Sequence, residues 1–395
     1  MMVQATNKAR KAIAEISIRG KNITANLQPY LLSATFNDRT STEVDEITIE
    51  LDDRDELFVD KGMPITGDKL EVVFVAKNWN MDGVDQKLNC GSFEIDLVTE
   101  SGPPNKIEIK AVSTFNSPIR RQLNSKKWEK TTFITICEYY ANKHGLKLNF
   151  IPAPIKQNGQ VVADDTDDIE IESIDQRDET DLGFLSKIVE DNDYMLKIDA
   201  KTLTVCSQEY LESKAPVLVI SKDEISSRQS SRQAFDLYKE AVATYYDPNK
   251  KKHIKSKVKA KDALYEHNAA WLAANSQPKK SKRPKAKHKI PTSTVRYTDQ
   301  ANIYGGGKVL VIRQKFNSIA AAETCAKARL AKKNRGEWVV RGEVMGNPLL
   351  RAGVNIEIVD YGKFDGWYQV ETTTHKIGGG YRTSFVAHRA HLKED

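Results

Sequence analysis

The feature that most restricts the fold of this chain is a strand pattern that occurs twice, once near each end. Early on, EITIEL runs through Pro64-Ile65 and Gly67 to KLEVVFV, then GSFEIDLVTE, a turn and KIEIKAV. Late on, EWVVRGEV runs through Pro348-Leu349 and Gly353 to NIEIVDY, then GWYQVETTTHK, a turn and YRTSFVA. Apolar and polar residues alternate in these runs at period two, the mark of antiparallel strands with one buried face. The turns correspond as well. Ser101-Gly102-Pro103-Pro104 lacks the amides needed to extend a ladder, and Gly378-Gly379-Gly380 permits positive φ. Any two meanders share some punctuation, but here both the order and the turn residues agree, so two related β-barrels are expected. His375, beside the triple glycine, reads as a strand residue.

The period changes between the two regions. TTFITICEYYANKHG sets Phe133, Ile136, Cys137 and Tyr140 on one helical face, opens on a threonine cap and stops at Gly145. RDETDLGFLSKIVEDND forms a second apolar stripe from Leu182, Leu185, Ile188 and Val189, with Asp178, Glu179 and Asp181 at its positive end. YMLKIDA and TLTVCSQ follow as strands. Between the helices, ADDTDDIEIESID lacks the glycine and ligand spacing of a calcium loop and reads as solvated. Strands return with YKEAVATYYD and KVLVIRQ, and SIAAAETCAKARLAKKN is a helix with Lys332, Lys333 and Arg335 near its negative end. The fold class expected is a β-rich α+β protein: two antiparallel β-barrels flanking an α/β insertion domain. The first barrel spans 1–115 and the insertion domain 116–220. The second barrel spans 221–395, with a helix at 318–334 and a basic insertion at 248–292.

Composition sharpens the function classes. The chain has 395 residues with 60 Lys and Arg against 54 Asp and Glu. Fourteen of those bases lie between Lys250 and Lys289 against two acids, Asp262 and Glu266, and outside this run acids outnumber bases. The run includes Lys250, Lys251, Lys252, Lys279, Lys280, Lys282, Arg283 and Lys285, candidates for contact with a partner. KKSKRPKAKHK is too poor in apolar residues to build a core, so a solvated, mobile insertion is expected, one that orders against an acidic neighbour. Its aromatics, Tyr265 and Trp271, do not form the interleaved platform of a single-strand binder. No apolar run approaches the about 20 residues of a membrane span, and MMVQATNKARKAIAEI has no secretion signal, so synthesis in the cytoplasm is expected.

Searches for catalytic chemistry return little. Cys90, Cys137, Cys206 and Cys325 lie far apart, without C-x-x-C spacing, and read as buried thiols. Tyr304-Gly305-Gly306-Gly307-Lys308 leads into the strand-like Val309-Leu310-Val311, whereas a phosphate loop must open a helix. The seven histidines show no H-E-x-x-H spacing, and no G-x-S-x-G elbow occurs. No catalytic residue, metal site or cofactor is expected, and no enzyme activity.

Several stretches, in order, carry a resemblance. They are GSFEIDLVTESGPPNKIEIKAVS; Ile119-Arg120-Arg121 through Trp128 into TTFITICEYYANKHGL; Gln176-Arg177-Asp178-Glu179-Thr180-Asp181-Leu182-Gly183-Phe184-Leu185; VATYYDPNKKK; AAAETCAKARL; and GEVMGNPLLRAGVNIEIVDYGKFDGWYQVETTTHKIGGGYRTSF. In these the chain resembles the late control protein D family, the baseplate hub proteins of contractile phage tails and phage-tail-like bacteriocins, and is similar to the hub part of type VI secretion spike proteins. The resemblance covers most of the chain; the basic insertion after Asp247-Pro248 departs from it. It implies a homotrimer of duplicated barrels in the baseplate of a virion or tail-like particle. Such a trimer would adapt the hexameric tail tube to a trimeric central spike and contact other baseplate proteins. Three chains with two similar barrels each offer six near-equivalent edges to a sixfold partner. Because the sequence closes at Asp395, after the last strands, the spike is expected to be a separate polypeptide. No small-molecule substrate or membrane anchor is implied. Two competing readings are a tail-associated cell-wall hydrolase and a nucleic-acid-binding protein acting through the basic insertion.

Overall fold

The computed structural model describes residues 9–390 except 41–43, 60–61, 80–82, 114–118, 120, 153–154, 158–159, 163–168, 200, 234–236, 248–250, 261–307, 314–315 and 317–318. The N-terminal region contributes β1 (Lys11–Ile18), β2 (Lys21–Asn22), α1 (Thr24–Leu27), β3 (Leu31–Arg39), β4 (Glu46–Asp52), β5 (Lys69–Lys77), β6 (Asp85–Ser101) and β7 (Lys106–Ser113). Alternation sets the burial: Ile47, Ile49 and Leu51 of β4 point inward, between the half-exposed Glu46, Thr48 and Glu50. Phe36, Phe74 and Phe93 complete this core.

The middle region carries β8 (Leu123–Thr132), α2 (Phe133–Lys143), β9 (Lys147–Ile151), β10 (Ile155–Gln157), β11 (Gln160–Val162), β12 (Glu170–Thr180), α3 (Asp181–Asp191), β13 (Tyr194–Asp199), β14 (Thr202–Ser207) and α4 (Gln208–Glu212). Both main helices begin as the sequence suggests: Thr132 and Thr180 each accept an amide three residues on, and Gly145, at φ 69°, follows α2. Their apolar faces, with Tyr140 and Phe184 at the centre, share one core with β9, β13 and β14. Much of the acidic run expected to be a solvated loop lies outside the described residues, but its end from Glu170 onward is strand, not loop. Ile171 and Ile174 of β12 pack on that core, while Asp175 and Gln176 lie opposite Lys127 and Lys126 of β8. Alternating acids are strand-compatible when a lysine strand faces them.

The C-terminal region contains β15 (Leu218–Ser221), β16 (Ser227–Arg232), β17 (Tyr238–Asp247), β18 (Lys252–Lys259), β19 (Lys308–Arg313), α5 (Ile319–Asn334), β20 (Trp338–Met345), β21 (Asn355–Val359), β22 (Gly366–Ile377) and β23 (Tyr381–Arg389). Part of the basic segment expected at 248–292 is regular structure. Lys252–Lys259 is a strand whose Ile254, Ser256 and Val258 turn inward, while Lys255, Lys257 and Lys259 face out. It forms a three-stranded sheet, β18-β17-β19, packed against α5 over Ala241, Ala243, Ile312, Ala322 and Leu330. Small residues let helix and sheet approach closely.

The two end regions, expected as two related barrels, share one 13-stranded sheet. Its order is β16-β20-β23-β22-β3-β4-β7-β6-β5-β1-β2, with β21 on β22 and β15 on β21. The join is β22 on β3, running from Thr372 opposite Arg39 to Ile377 opposite Ala34. Ile377 and Tyr381 accordingly belong to the N-terminal core. Among the described residues no helix is long and apolar enough to cross a membrane.

Candidate assembly surface

Strand order makes the repeat explicit. Within the sheet, β4-β7-β6-β5 and β20-β23-β22-β21 run in the same order, and all the pairs within each are antiparallel. Registers agree residue for residue. Ala111 faces both Ile47 and Ile95, and Ala387 faces both Val340 and Val370. Leu70 faces Phe93 and Val72 faces Gly91; Ile356 faces Tyr368 and Ile358 faces Gly366. Apart from the two glycines, every residue in these pairs is buried. Each third strand bulges at the same step, between Ile95 and Leu97 and between Val370 and Thr372, with an acid, Asp96 or Glu371, as the extra residue.

A backbone clasp marks the same place in both copies. The Gly67 amide donates to the Ile95 carbonyl at 2.8 Å, and the Ile95 amide returns a bond to Asp68 at 3.0 Å. The Gly353 amide donates to the Val370 carbonyl at 2.8 Å, and the Val370 amide returns one to Val354 at 2.9 Å. Both glycines have positive φ, 91° and 85°. In each copy the loop ahead of the clasp exposes apolar side chains. They are Leu57, Val59, Met63 and Ile65 (58% exposed) in the first, and Leu349 (51%) just after the solvent-facing Met345 in the second. Apolar tips at matching places suit burial against a partner.

Polar ties fix the lobes and the middle region to one another. Asp38 of β3, fully buried, accepts the Lys197 ammonium from β13 and the Ala352 amide at 3.0 Å, with Arg351 at 3.8 Å. Arg335, after α5, spans Asp193 at 2.7 Å and Glu212 at 3.2 Å. Arg329 and Lys332 of α5 meet Asp191 and Glu190 of α3. A cavity of about 290 Å³, lined by Ser186, Gln208, Arg335 and His388 among others, lies at this junction. Sequence reading found none of these ties. Their members are more than a hundred residues apart, and nothing local distinguishes Asp38 from an exposed aspartate.

Within the middle region, the QRDETDLGFL stretch is explained by Asp181. It is fully buried and accepts from Asn124, Gln176, Lys143 (2.7 Å) and His144 (2.8 Å). Burial alone would push its carboxyl up; the bonds from Gln176, Lys143 and His144 hold it below its usual value. This is a satisfied internal network.

Of the basic residues proposed from sequence, Lys251 sits in the turn after β17 and Lys252 opens β18. Lys250, Lys279, Lys280, Lys282, Arg283 and Lys285 lie outside the described residues, as do Tyr304 to Gly307 of the glycine-rich stretch; Lys308 begins a strand. His375 is a buried strand residue. Its Nδ1 meets the Tyr381 hydroxyl at 2.9 Å and the Thr383 hydroxyl at 3.1 Å, its ring stacks on Phe36, and burial pushes its pKa down to about 4. All four cysteines are buried and none is in a disulfide, and burial pushes Cys206 up to about 12, far from a reactive thiolate. Among the described residues no group of His, Cys, Asp and Glu is arranged to hold a metal.

No family model matches the chain. Among curated proteins it is 25% identical over 329 residues to the "Probable baseplate hub protein" of Escherichia phage 186, covering 81% of this chain and 77% of that one. It is 29% identical over 181 residues to the protein of the same description in Escherichia phage P2, covering 45% of this chain and 40% of the relative. Among solved structures, the 43 kDa tail protein of prophage MuSo2 from Shewanella oneidensis superposes with a TM-score of 0.61 at 10% identity, covering 96% of this chain and 98% of that one. A tail protein from Neisseria meningitidis MC58 gives 0.61 at 11% identity, covering 97% and 99%. The fold is therefore that of phage tail proteins. Within that class, the curated homologues of this chain are proteins named as baseplate hubs of P2-like phages.

Proposed function

We propose that this chain is a baseplate hub protein of a contractile tail or tail-like particle. Three copies form a ring that adapts the hexameric tail tube to a trimeric central spike. The observation that carries the reading is the matched register of the two meanders, down to the bulge and the glycine clasp. A chain built from one unit twice presents two near-equivalent faces, so a threefold ring offers a sixfold partner six similar contacts. The apolar loop tips around Ile65 and Leu349 are the surfaces suited to those contacts, since each is an exposed apolar group at the same place in its unit. Such a role is structural and non-enzymatic. The middle region and the basic segment face other baseplate proteins.

Light scattering after size exclusion should give three chains per particle, and negative-stain images a threefold ring. A chain that remains monomeric when mixed with tube and spike proteins overturns the reading.

A further inference from the structure

The two meanders match in register but differ in what lies beside them. In the second, β22 continues past its bulge and its far edge, Thr372–Ile377, pairs with β3 of the first. In the first, β6 continues past its bulge in the same way, yet among the described residues the far edge of its final segment, 97–101, pairs with no strand, and Leu97 is 48% exposed. On the other side of the junction, β3 has a neighbour on each side, β4 and β22. Among the described residues its counterpart β16 pairs with β20 alone, and it is mostly exposed. Each chain thus keeps one unused edge of each kind. Together they are the two halves of the junction already made once inside the chain.

We propose that residues 98–101 of one copy pair antiparallel with residues 229–232 of the next copy of this chain, repeating between chains the β22·β3 junction. The inference rests on reading the chain as an oligomeric hub, and adds which edges meet and in what register. Inside the chain, Thr374 lies opposite Asn37 and its hydroxyl donates to the Asn37 side chain at 2.8 Å. Counting from the matched bulges, Thr374 corresponds to Thr99. Counting from Ile47 and Val340, Asn37 corresponds to Ser231. Thr99 therefore faces Ser231, with Val98 on Arg232, Glu100 on Ser230 and Ser101 on Gln229.

The chemistry of the two edges agrees. Thr99 and Ser231 can share a hydroxyl contact where Thr374 and Asn37 share theirs. Glu100 falls diagonally between Arg228 and Arg232, within reach of opposite charge across strands. Neither edge carries a proline, so each keeps its backbone donors and acceptors for a ladder. The contact is head to tail and uses one edge of each kind per chain, so copies join in series, and a threefold rotation between neighbours closes the series into a ring. β18 and β19 also end their sheet, but neither has a counterpart in the internal junction.

The test uses the whole chain, whose own cysteines are all buried. Thr99→Cys and Ser231→Cys are made as separate variants, mixed and oxidised; a cross-chain disulfide is expected. Thr99→Cys with Ser230→Cys points the thiols to opposite faces and should crosslink about tenfold less, because a disulfide needs facing Cβ atoms. In solution, Glu100→Arg should weaken association several-fold by light scattering, and adding Arg228→Glu should restore it. That surface pair reports on the contact even if a cysteine variant folds poorly. A chain that oligomerises without the 99–231 bond, or with equal yield from the off-register pair, or indifferent to Glu100→Arg, overturns the strand pairing and leaves the hub reading standing. A chain that is monomeric under all these conditions overturns both.

Discussion

Single side chains in the interior answer to pH in opposite senses. Burial pushes the Asp45 carboxyl up to about 6, against the pull of Lys197 at 3.9 Å. From about pH 4 to 6 the folded chain holds a proton at Asp45 that the unfolded chain has lost, so this group's contribution to stability falls as pH rises through that window. His375 runs the other way. An unfolded histidine takes its proton near 6.5, whereas the buried one resists until about 4, so stability is lost as pH falls between those values. His388, also lowered by burial, adds to that second slope. Asp45→Asn should steepen the loss of stability on acidification from pH 6.5 to 4. His375→Gln should flatten it, each by at most about 1.4 kcal/mol per pH unit. Urea midpoints measured across this range decide the matter, and superimposable profiles for both variants and the parent would refute it. Sequence indicated that His375 belongs to a strand. That it is stacked on Phe36 and buried follows from β22 lying on β3, a pairing no local pattern announces.

Elements, rather than residues, carry the duplication, and the paired glycines test it. At Gly67 an added Cβ would touch nothing within 4 Å. At Gly353 it would meet only Thr40 and Met195, at 3.5 and 3.6 Å, ordinary contact distances. Alanine at either site is therefore penalised through backbone conformation alone, by about 1–2 kcal/mol each. Equivalent clasps predict near-equal losses that add in the double variant, read by chemical denaturation. A marked inequality would mean that the two loops only look alike. These meanders were legible because their strands alternate cleanly and their turns hold proline and glycine. β3 and β16 were not. LLSATFNDR buries Ser33 and Asp38 as well as Ala34 and Phe36, which breaks the apolar period, and SRQSSR contains no apolar residue. Strands that meet another strand along an edge need backbone groups more than side-chain pattern, so the sequence leaves them nearly silent. The lysine-rich run misled for a related reason. In KKHIKSKVK only Ile254 and Val258 advertise the inward face, and the intervening charges dominate the composition.

The end regions share one sheet, and among the described residues ion pairs tie the middle region to it and to α5. Arg335, only 15% exposed, is central, since it binds Asp193 beyond α3 and the fully buried Glu212 at the end of α4. Arg335→Ala removes a buried cation from both acids and should cost about 3–5 kcal/mol, the usual penalty for breaking a buried pair. Calorimetry should then resolve the middle region as a separate, earlier transition in place of a single peak. A single transition displaced as a whole would show that apolar packing alone couples the regions. At this scale the sequence was silent on the sheet shared by the two ends, because a contact between residues 34–39 and 372–377 leaves no trace in either segment. β22 bridges them. Its first residues lie on β21, its last on β3, and β23 runs along its full length. A pull along that strand loads its ladder in shear, so all the rungs between Thr372 and Ile377 must fail together rather than unzip one by one. The two ends of the chain will therefore travel as a single rigid lever when force passes through the particle.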